Sequence, residues 1–391
     1  MKKETGITIV ALVVTIVVML ILVGVSVTVS INGGLFNTTK ESTYKTEVSQ
    51  VKEALEEEIV QRKARRESVD NITIADLDIP NKIKDKYKDK LIIIGKDIYY
   101  DPVNIEKDNE ETWLEDMDII ASTKLFTYNN NGDTITGLSE SGYAAIENGV
   151  TKFVMPTKYV SKDANGNRKV TTITTIEKNA FNATVEEKKA CAKIKSVIFP
   201  TTLTTLKTNA FDGCNGLEKI DLSKTQVTYI GQEAFSYCMN LKEAILPENL
   251  TGLDSFAFWH CEKMEKVNLG RITSVRPYCF QYCTSLKNIE IPDSVKYITE
   301  CSFQCCSSLE KLIIPNSVTN INFAAFANCE KIQEIRIPSS VTTISYNVFY
   351  GSAIDGKIYV PYTKEEGKPS GWHDQWNSRS GATIIYADET T

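Results

Sequence analysis

Histidine and cysteine are the side chains here that could carry nucleophilic or metal chemistry, and their placement argues against both. The 391-residue chain has only two histidines, His260 and His373. That number is too small for a multi-histidine metal centre and leaves little material for histidine-based catalysis. A zinc site made from Cys301, Cys305 and His260 would have no recognised ligand spacing. The sequence also contains no nucleophile elbow and no glycine-rich phosphate loop. It therefore predicts no enzyme, no metal site and no cofactor.

Most of the ten cysteines follow a fixed pattern. Six of them stand three residues after a repeated phenylalanine, at Cys214, Cys238, Cys261, Cys283, Cys306 and Cys329. This constant offset from the phenylalanine predicts a buried column in which each thiol behaves as a small apolar group. Cys279 takes another small-residue position, directly before Phe280. Neighbouring coils would bring Cα atoms to about 5 Å, within disulfide range, so bridges remain the alternative to packing. Cys191, Cys301 and Cys305 stand outside the column, and their redox state is open.

The phenylalanines themselves mark a repeat of 22 to 24 residues over most of its length. They occur at positions 181, 211, 235, 258, 280, 303, 326 and 349. Each unit also carries an alternating apolar pair, such as Ile289 and Ile291, which predicts one short strand per coil. Proline follows this pair in six units and ends the strand, because proline has no N–H for the ladder. We expect a solenoid about 40 Å long, with stacked inward phenylalanines and a parallel sheet on one face.

This array resembles the BspA-like leucine-rich repeats of bacterial surface proteins over about residues 126–386. The closing segment, with Trp372 and Trp376, is similar to that family's terminal cap. A seven-residue insertion between Phe181 and Val197 is interpreted as a surface loop. The resemblance implies adhesion, with a protein or matrix ligand on another cell or host as the partner.

The N-terminal segment predicts a membrane anchor. Residues 7–31 contain no charge, and as a helix they would span roughly 37 Å, enough to cross a bilayer. A cleavable signal peptide is the alternative, although its apolar stretch should be shorter. Lysines flank the segment almost equally, so their count does not decide its orientation. The six residues before the segment are the end more easily left in the cytoplasm. We therefore expect a single-pass cell-surface protein with its C-terminal domain outside.

The residues KKETG followed by ITIVALVVTIVVMLILVGVSV resemble a type IV prepilin leader. In that family a prepilin peptidase cuts after the glycine, which implies cleavage here between Gly6 and Ile7 and an association with pili. The family usually has glutamate at the fifth mature position, where this chain has Ala11. The absence of this glutamate affects filament assembly more than membrane insertion. A minor pilin or pseudopilin with a mainly structural role is therefore the alternative function.

A link at residues 32–124 joins the anchor to the repeats. Asn32, Gly33 and Gly34 should break the membrane helix, and Thr38 with Glu41 predicts a capping box that starts a second helix. An apolar stripe along this helix predicts that one face is buried; it consists of Tyr44, Val48, Val51, Leu55 and Ile59. A strand is expected from Leu91, and residues 101–118 form an irregular connection. The predicted fold class is α+β: leader 1–6, membrane helix 7–31, amphipathic helix and small pilin-like link 32–124, and capped solenoid 125–386.

Aromatic residues after three consecutive repeat phenylalanines predict a partner-binding site. They are Tyr237, Trp259, His260 and Tyr282, and the repeats with Asp212-Gly213 and Ala327-Asn328 show that these places need no large side chain. Three coils would bring them within roughly 10 Å along the stack, with the composition of an interface anchor. The alternative is that these rings only shield the turn beneath them. The net charge of −6 argues against a nucleic-acid partner, and charges of alternating sign on the sheet face would give no strong field.

Overall fold

The computed structural model describes residues 34–65, 67, 72–94, 97–100, 114, 122–352 and 356–389. The predicted leader, the junction between Gly6 and Ile7, and the apolar segment 7–31 lie outside these residues. So does the predicted irregular connection 101–118, except for residue 114. Among the described residues, no helix has both the length and the apolar character needed to cross a bilayer.

The described elements are three α-helices, four short 3₁₀ segments and 24 strands. The helices are α1 (Gly34–Arg65), α2 (Asn81–Tyr87) and α3 (Glu140–Glu147). The 3₁₀ segments are Ile74–Asp76, Ser122–Leu125, Glu186–Lys193 and Ala387–Glu389. The strands are β1 (Leu91–Ile94), β2 (Asp97–Tyr100), β3 (Phe126–Tyr128), β4 (Thr134–Leu138), β5 (Lys152–Val154), β6 (Lys158–Lys162), β7 (Arg168–Thr172), β8 (Thr175–Ile176), β9 (Ser196–Ile198), β10 (Thr205–Leu206), β11 (Lys219–Asp221), β12 (Tyr229–Ile230), β13 (Glu243–Ile245), β14 (Gly252–Leu253), β15 (Lys266–Val267), β16 (Ser274–Val275), β17 (Asn288–Glu290), β18 (Tyr297–Ile298), β19 (Lys311–Ile313), β20 (Asn320–Ile321), β21 (Glu334–Arg336), β22 (Thr343–Ile344), β23 (Lys357–Tyr359) and β24 (Thr383–Ile385).

Helix α1 buries the predicted apolar stripe. Tyr44, Val48 and Val51 are buried, and Tyr44 packs edge-on against Tyr87 with ring centroids 5.5 Å apart. The predicted capping box is wrong, because the helix already begins at Gly34 and Thr38 lies inside it. A residue inside a helix has helical backbone angles, so Thr38 cannot act as an N-cap, which needs an extended backbone.

An antiparallel hairpin, β1–β2, lies between helix α1 and the repeats. In its register Ile93 is opposite Ile98 and Ile92 is opposite Tyr99. Ile93 and Ile98 belong to the same apolar core as the α1 stripe. Tyr99 is part of the repeat core, and Ile92 packs against it. Since alternate side chains of a strand point to opposite faces, the hairpin joins the two cores. The strand expected from Leu91 is therefore one half of this hairpin.

The repeats form a solenoid with parallel ladders, which confirms the predicted solenoid, but each coil contributes two strands rather than one. The first ladder follows the order β5-β9-β11-β13-β15 and then β17-β19-β21-β23-β24. The second joins β4-β8-β10-β12-β14 and then β16-β18-β20-β22. The expectation of one strand per coil is wrong because the second strand is only two residues long, too short to show an alternating pattern. Its trace in the sequence is one buried aliphatic residue per coil, such as Ile298 or Ile321.

Where a proline follows a first-ladder strand, it turns the chain toward the second ladder. The carbonyl oxygen of Pro292 accepts a hydrogen bond from the N–H of Val295 at 2.9 Å, and Pro315 does the same with Val318 at 3.1 Å. This contact closes a tight turn between the two strands. The proline thus ends one strand and also fixes the start of the next one.

The repeat phenylalanines form a continuous column inside the solenoid, as predicted. Each successive pair from Phe181 to Phe349 is stacked, with ring centroids 4.9 to 5.7 Å apart and planes within 12° of parallel. All eight rings are fully buried. At the C-terminal end Trp376 packs edge-on against Phe349 at 6.0 Å, and Trp372 is buried beside it.

The insertion after Phe181 is not the surface loop that the sequence suggests. It contains the 3₁₀ segment Glu186–Lys193, which places Cys191 in the repeat core with no exposed surface. Glu186 and Lys189 stay outside and form an ion pair at 3.0 Å. The segment packs against the repeats because it has one apolar side and one charged side. Burial raises the pKa of Cys191 to about 11.

Both ladders are interrupted at the same coil, between β15 and β17 and between β14 and β16. The phenylalanine spacing from 258 to 280 is one residue shorter than usual, and no proline follows this strand. Gly270, at φ +58°, forms the shortened turn instead. On the side of the preceding coil, the side chain of Asn268 donates to the oxygen of Leu246 at 2.8 Å and accepts from its N–H at 2.7 Å. We call this interruption the joint.

Candidate partner-binding surface

A third set of backbone hydrogen bonds positions the predicted site residues. On the phenylalanine side, the N–H of Tyr237 donates to the oxygen of Trp259 at 2.7 Å, and His260 donates to Gln281 at 3.0 Å. Tyr282 continues the series by donating to Gln304. These bonds run through the joint, where both sheets are interrupted. The residues that follow each phenylalanine are therefore held in register from coil to coil.

Tyr237, His260 and Tyr282 adopt left-handed backbone conformations, with φ of 52°, 55° and 63°. The same position in other coils is Gly213, Cys305, Asn328 or Gly351, also at positive φ. Glycine and asparagine suit this region, whereas a bulky side chain there is strained by about 1–2 kcal/mol. The repeat thus needs a left-handed residue here, and it does not need an aromatic ring.

The predicted site residues come together in a stacked column. The ring of His260 lies between Tyr237, 5.0 Å away, and Tyr282, 4.3 Å away, with both pairs nearly parallel. Trp259 packs edge-on against Tyr237 at 4.8 Å. Tyr282 is exposed, while the other three side chains keep part of their surface in solvent. All four rings therefore border one surface.

Two further aromatic residues, not identified from the sequence, extend this surface. Phe256 and Tyr278 stack at 4.6 Å with an interplanar angle of 6°, and Phe256 also contacts Trp259 at 5.6 Å. They occupy a second left-handed position, two residues before the repeat phenylalanine. That constant offset was the signal that could have identified them. We define the aromatic patch as Tyr237, Phe256, Trp259, His260, Tyr278 and Tyr282.

Polar contacts fix the tryptophan of the aromatic patch. The indole Nε1–H of Trp259 donates to Oε1 of Gln281 at 2.7 Å, and Gln281 in turn donates to Gln304. Gln281 is itself buried. Because the indole N–H already has a partner, its ring is held in one orientation, as a rigid interface anchor requires.

The cysteine column is a packing feature, as predicted. All ten cysteines are free, and the six column thiols are fully buried. Each column Sγ donates to the carbonyl oxygen of the phenylalanine in the preceding coil, at 3.1 to 3.3 Å. Ser352 takes the same place in the last coil and donates to the oxygen of Phe326. Burial raises the pKa of the column thiols, so they are poor nucleophiles.

The remaining cysteines and histidines do not build a metal centre in the described part of the chain. No group of three or more His, Cys, Asp or Glu side chains there could hold a metal ion. Cys301 is buried against Ala324 and Ala327, while Cys305 is half-buried and accepts a hydrogen bond from Asn328 at 3.7 Å.

The first ladder presents charges of alternating sign, as its sequence predicts. Lys219 is opposite Glu243, and Glu243 is opposite Lys266. Lys219 and Glu243 form an ion pair at 2.5 Å. Neighbouring opposite charges cancel at a distance, so this face has little field to attract a charged partner. The aromatic patch is therefore the more distinctive surface.

Comparison with known families agrees with this architecture. The BspA type leucine-rich repeat region matches in six copies, over residues 168–284 and 269–366, which together cover half of the chain. The chain belongs to this repeat family. The family match describes a repeat region, and it leaves the ligand of the array undefined.

Several solved structures are similar to this BspA-type chain. A leucine-rich repeat protein from Bacteroides ovatus is 24% identical, with 67% of this chain and 68% of that chain covered and a TM-score of 0.47. A leucine-rich repeat protein from T. pallidum is also 24% identical, with 59% and 87% covered and a TM-score of 0.41. A leucine-rich cell surface protein from Faecalibacterium prausnitzii is 20% identical, with 67% and 92% covered and a TM-score of 0.38. No curated protein matches the chain.

Proposed function

We propose that this BspA-type protein is a cell-surface interaction protein that binds a protein or matrix partner through the aromatic patch. The observation that carries the proposal is the strained placement of Tyr237, His260 and Tyr282. Glycine or asparagine occupies the same position in three other coils at lower conformational cost, and the small residue Cys305 occupies it in a fourth. Rings kept at a strained position, in three consecutive coils and on the surface, fit a binding role better than a folding role.

The composition of the aromatic patch supports a macromolecular partner. Trp and Tyr dominate interface anchors because they bury a large area with little loss of side-chain entropy. The rings form an open surface instead of a closed cavity, which suits the flat or convex surface of a protein. Rings that only shielded the turn beneath them would be expected in every coil, yet Asp212-Gly213 and Ala327-Asn328 occupy these places elsewhere.

The experiment that tests the proposal replaces the stacked column by the residue that the array itself uses. In the triple variant Tyr237→Asn, His260→Asn, Tyr282→Asn, each new residue matches Asn328. We expect the fold to be retained, with a melting temperature at least equal to that of the wild type. Adhesion of cells that display the chain to a panel of immobilised host matrix proteins should be lost.

The matched control is Lys311→Glu, Arg336→Glu on the first ladder. It should leave adhesion unchanged. If adhesion persists in the triple variant and disappears in this control, the sheet face is the binding surface and the patch proposal is wrong.

We further propose that the uncharged segment 7–31 anchors the chain in the membrane, with the repeats outside. The support is its length and lack of charge, together with the prepilin-like residues before it. N-terminal sequencing of the protein isolated from cells tests the leader. A mature chain beginning at Ile7 is expected; recovery of intact Met1 would indicate a simple signal anchor.

A further inference from the structure

The hairpin β6–β7 is an insertion that the repeat ladders do not use. In a regular coil the second ladder begins shortly after the proline, as between Pro200 and Thr205. In the first coil the chain instead runs from Pro156 through the hairpin before β8 begins at Thr175. Among the residues that the structure describes, strands β6 and β7 pair only with each other. An isolated two-stranded hairpin is marginally stable, so this one needs an anchor or a partner.

One face of the hairpin is anchored to the body of the protein. Tyr159 stacks on Tyr128 with ring centroids 4.2 Å apart and planes within 25°. Lys169 shares this face. Hydrogen bonds lower the pKa of Asp133 and Asp163, and the positive charge of Lys169 lowers both slightly further. This face is therefore occupied by contacts within the chain.

The other face presents two valines between basic residues. The register places Val160 opposite Val170 and Lys162 opposite Arg168, and Lys158 lies on the same face. Val170 is 42% exposed, and Lys162 and Arg168 are exposed as well. We call this surface the valine–cation face.

The hairpin is a basic element in an acidic protein. Residues 158–172 contain four basic side chains and one acidic, a net charge of +3, whereas the chain carries −6. The acidic residue, Asp163, accepts hydrogen bonds from the backbone N–H groups of Asn165 and Asn167 at 2.8 Å. Its carboxylate therefore holds the turn of the hairpin.

We propose that the valine–cation face binds an acidic segment of a protein partner. Cations flanking an exposed and a half-buried valine match a segment that offers both carboxylates and an apolar side chain. A second copy of the hairpin would bring like charges together, which disfavours self-association. A sulfated polysaccharide would use the cations but would leave the valines without a partner. This proposal is independent of the aromatic patch.

The test measures binding of the full-length chain, in mild detergent, to a short fluorescein-labelled peptide that alternates glutamate with leucine and serine. Fluorescence anisotropy should show saturable binding. The variant Lys162→Glu, Arg168→Glu should weaken it about tenfold or more. The variant Val160→Thr, Val170→Thr keeps β-branched side chains and should weaken peptide binding while leaving binding of dextran sulfate unchanged. Lys311→Glu, Lys357→Glu makes the same charge change on the first ladder and should have no effect.

Three outcomes would overturn the assignment. Equal weakening by the first-ladder control would show a general charge effect. Binding of dextran sulfate without binding of the peptide would indicate a polysaccharide partner. Binding of neither, together with aggregation of the charge-reversed variant, would show that the basic residues only protect an exposed hairpin from self-association. Melting curves followed by circular dichroism confirm that each variant is folded.

Discussion

At the scale of single residues, the cysteine column shows how a repeat can reuse a reactive side chain as a packing group. Each thiol is small, buried and hydrogen-bonded to a phenylalanine carbonyl. Ser352 shows which property the position requires, because it keeps the hydrogen bond and removes the sulfur. The position therefore accommodates a small hydrogen-bond donor, which can be a thiol or a hydroxyl.

Replacing Cys283 by alanine should lower the free energy of unfolding by roughly 1 kcal/mol, because it removes one weak hydrogen bond and a small buried group. Cys283→Ser should cost no more, since serine fills this place at Ser352. Urea denaturation under reducing and non-reducing conditions measures both values. A loss that appears only without reductant, or bridges between column cysteines in mass spectra, would show that these residues form disulfides.

At the scale of the coil, the stacked phenylalanines couple each repeat to its neighbours. Phe258 lies 5.5 Å from Phe235 and 5.6 Å from Phe280, and it is fully buried. Phe258→Ala should cost about 3–5 kcal/mol by leaving a cavity in the shared core. Hydrogen exchange should accelerate in both adjacent coils as well as in the mutated one. An effect confined to one coil would show that the repeats are not coupled through the ring column.

The coil before the joint tests how a side chain can extend a ladder toward the preceding coil. Asn268 supplies two hydrogen bonds to Leu246 where a regular coil uses strand backbone. Asn268→Ala should cost about 2 kcal/mol, at roughly 1 kcal/mol for each bond. Glu290→Ala, at the equivalent exposed position of the next coil, should stay within about 0.5 kcal/mol of the wild type. Urea denaturation of the two variants compares them directly, and equal losses would remove the structural role assigned to Asn268.

The coils also show which parts of the fold a sequence can reveal. The period of the phenylalanines predicts the solenoid and its ring column, because a side chain repeated every 23 residues must occupy the same environment in every coil. The second ladder was missed because two-residue strands have no period of their own. The joint was missed because its cause, one residue fewer between two phenylalanines, appears in the sequence only as a spacing of 22. The site rings were found as deviations from the repeat, while their strain follows only from the backbone.

At the scale of the whole molecule, a solenoid must close its ends, and the C-terminal end does so with tryptophans. The indole N–H of Trp372 donates to the oxygen of Val341 at 3.0 Å, and Trp376 covers the last phenylalanine, Phe349. At the other end, β3 pairs antiparallel with β4 and completes the second ladder. These end groups cover apolar surface that a further coil would otherwise bury.

Removing one of these groups should therefore unfold the array from its end. Trp376→Ala exposes the ring of Phe349 and should cost about 3–5 kcal/mol. Hydrogen exchange should show the largest loss of protection in the coil of Phe349 and progressively smaller losses toward Phe303, because each coil is stabilised only by its neighbours. Trp259→Ala is the matched control, since it removes a half-buried tryptophan from the surface of a central coil. A uniform loss of protection along all coils after Trp376→Ala would mean that the solenoid unfolds as one cooperative unit and that its end has no special role.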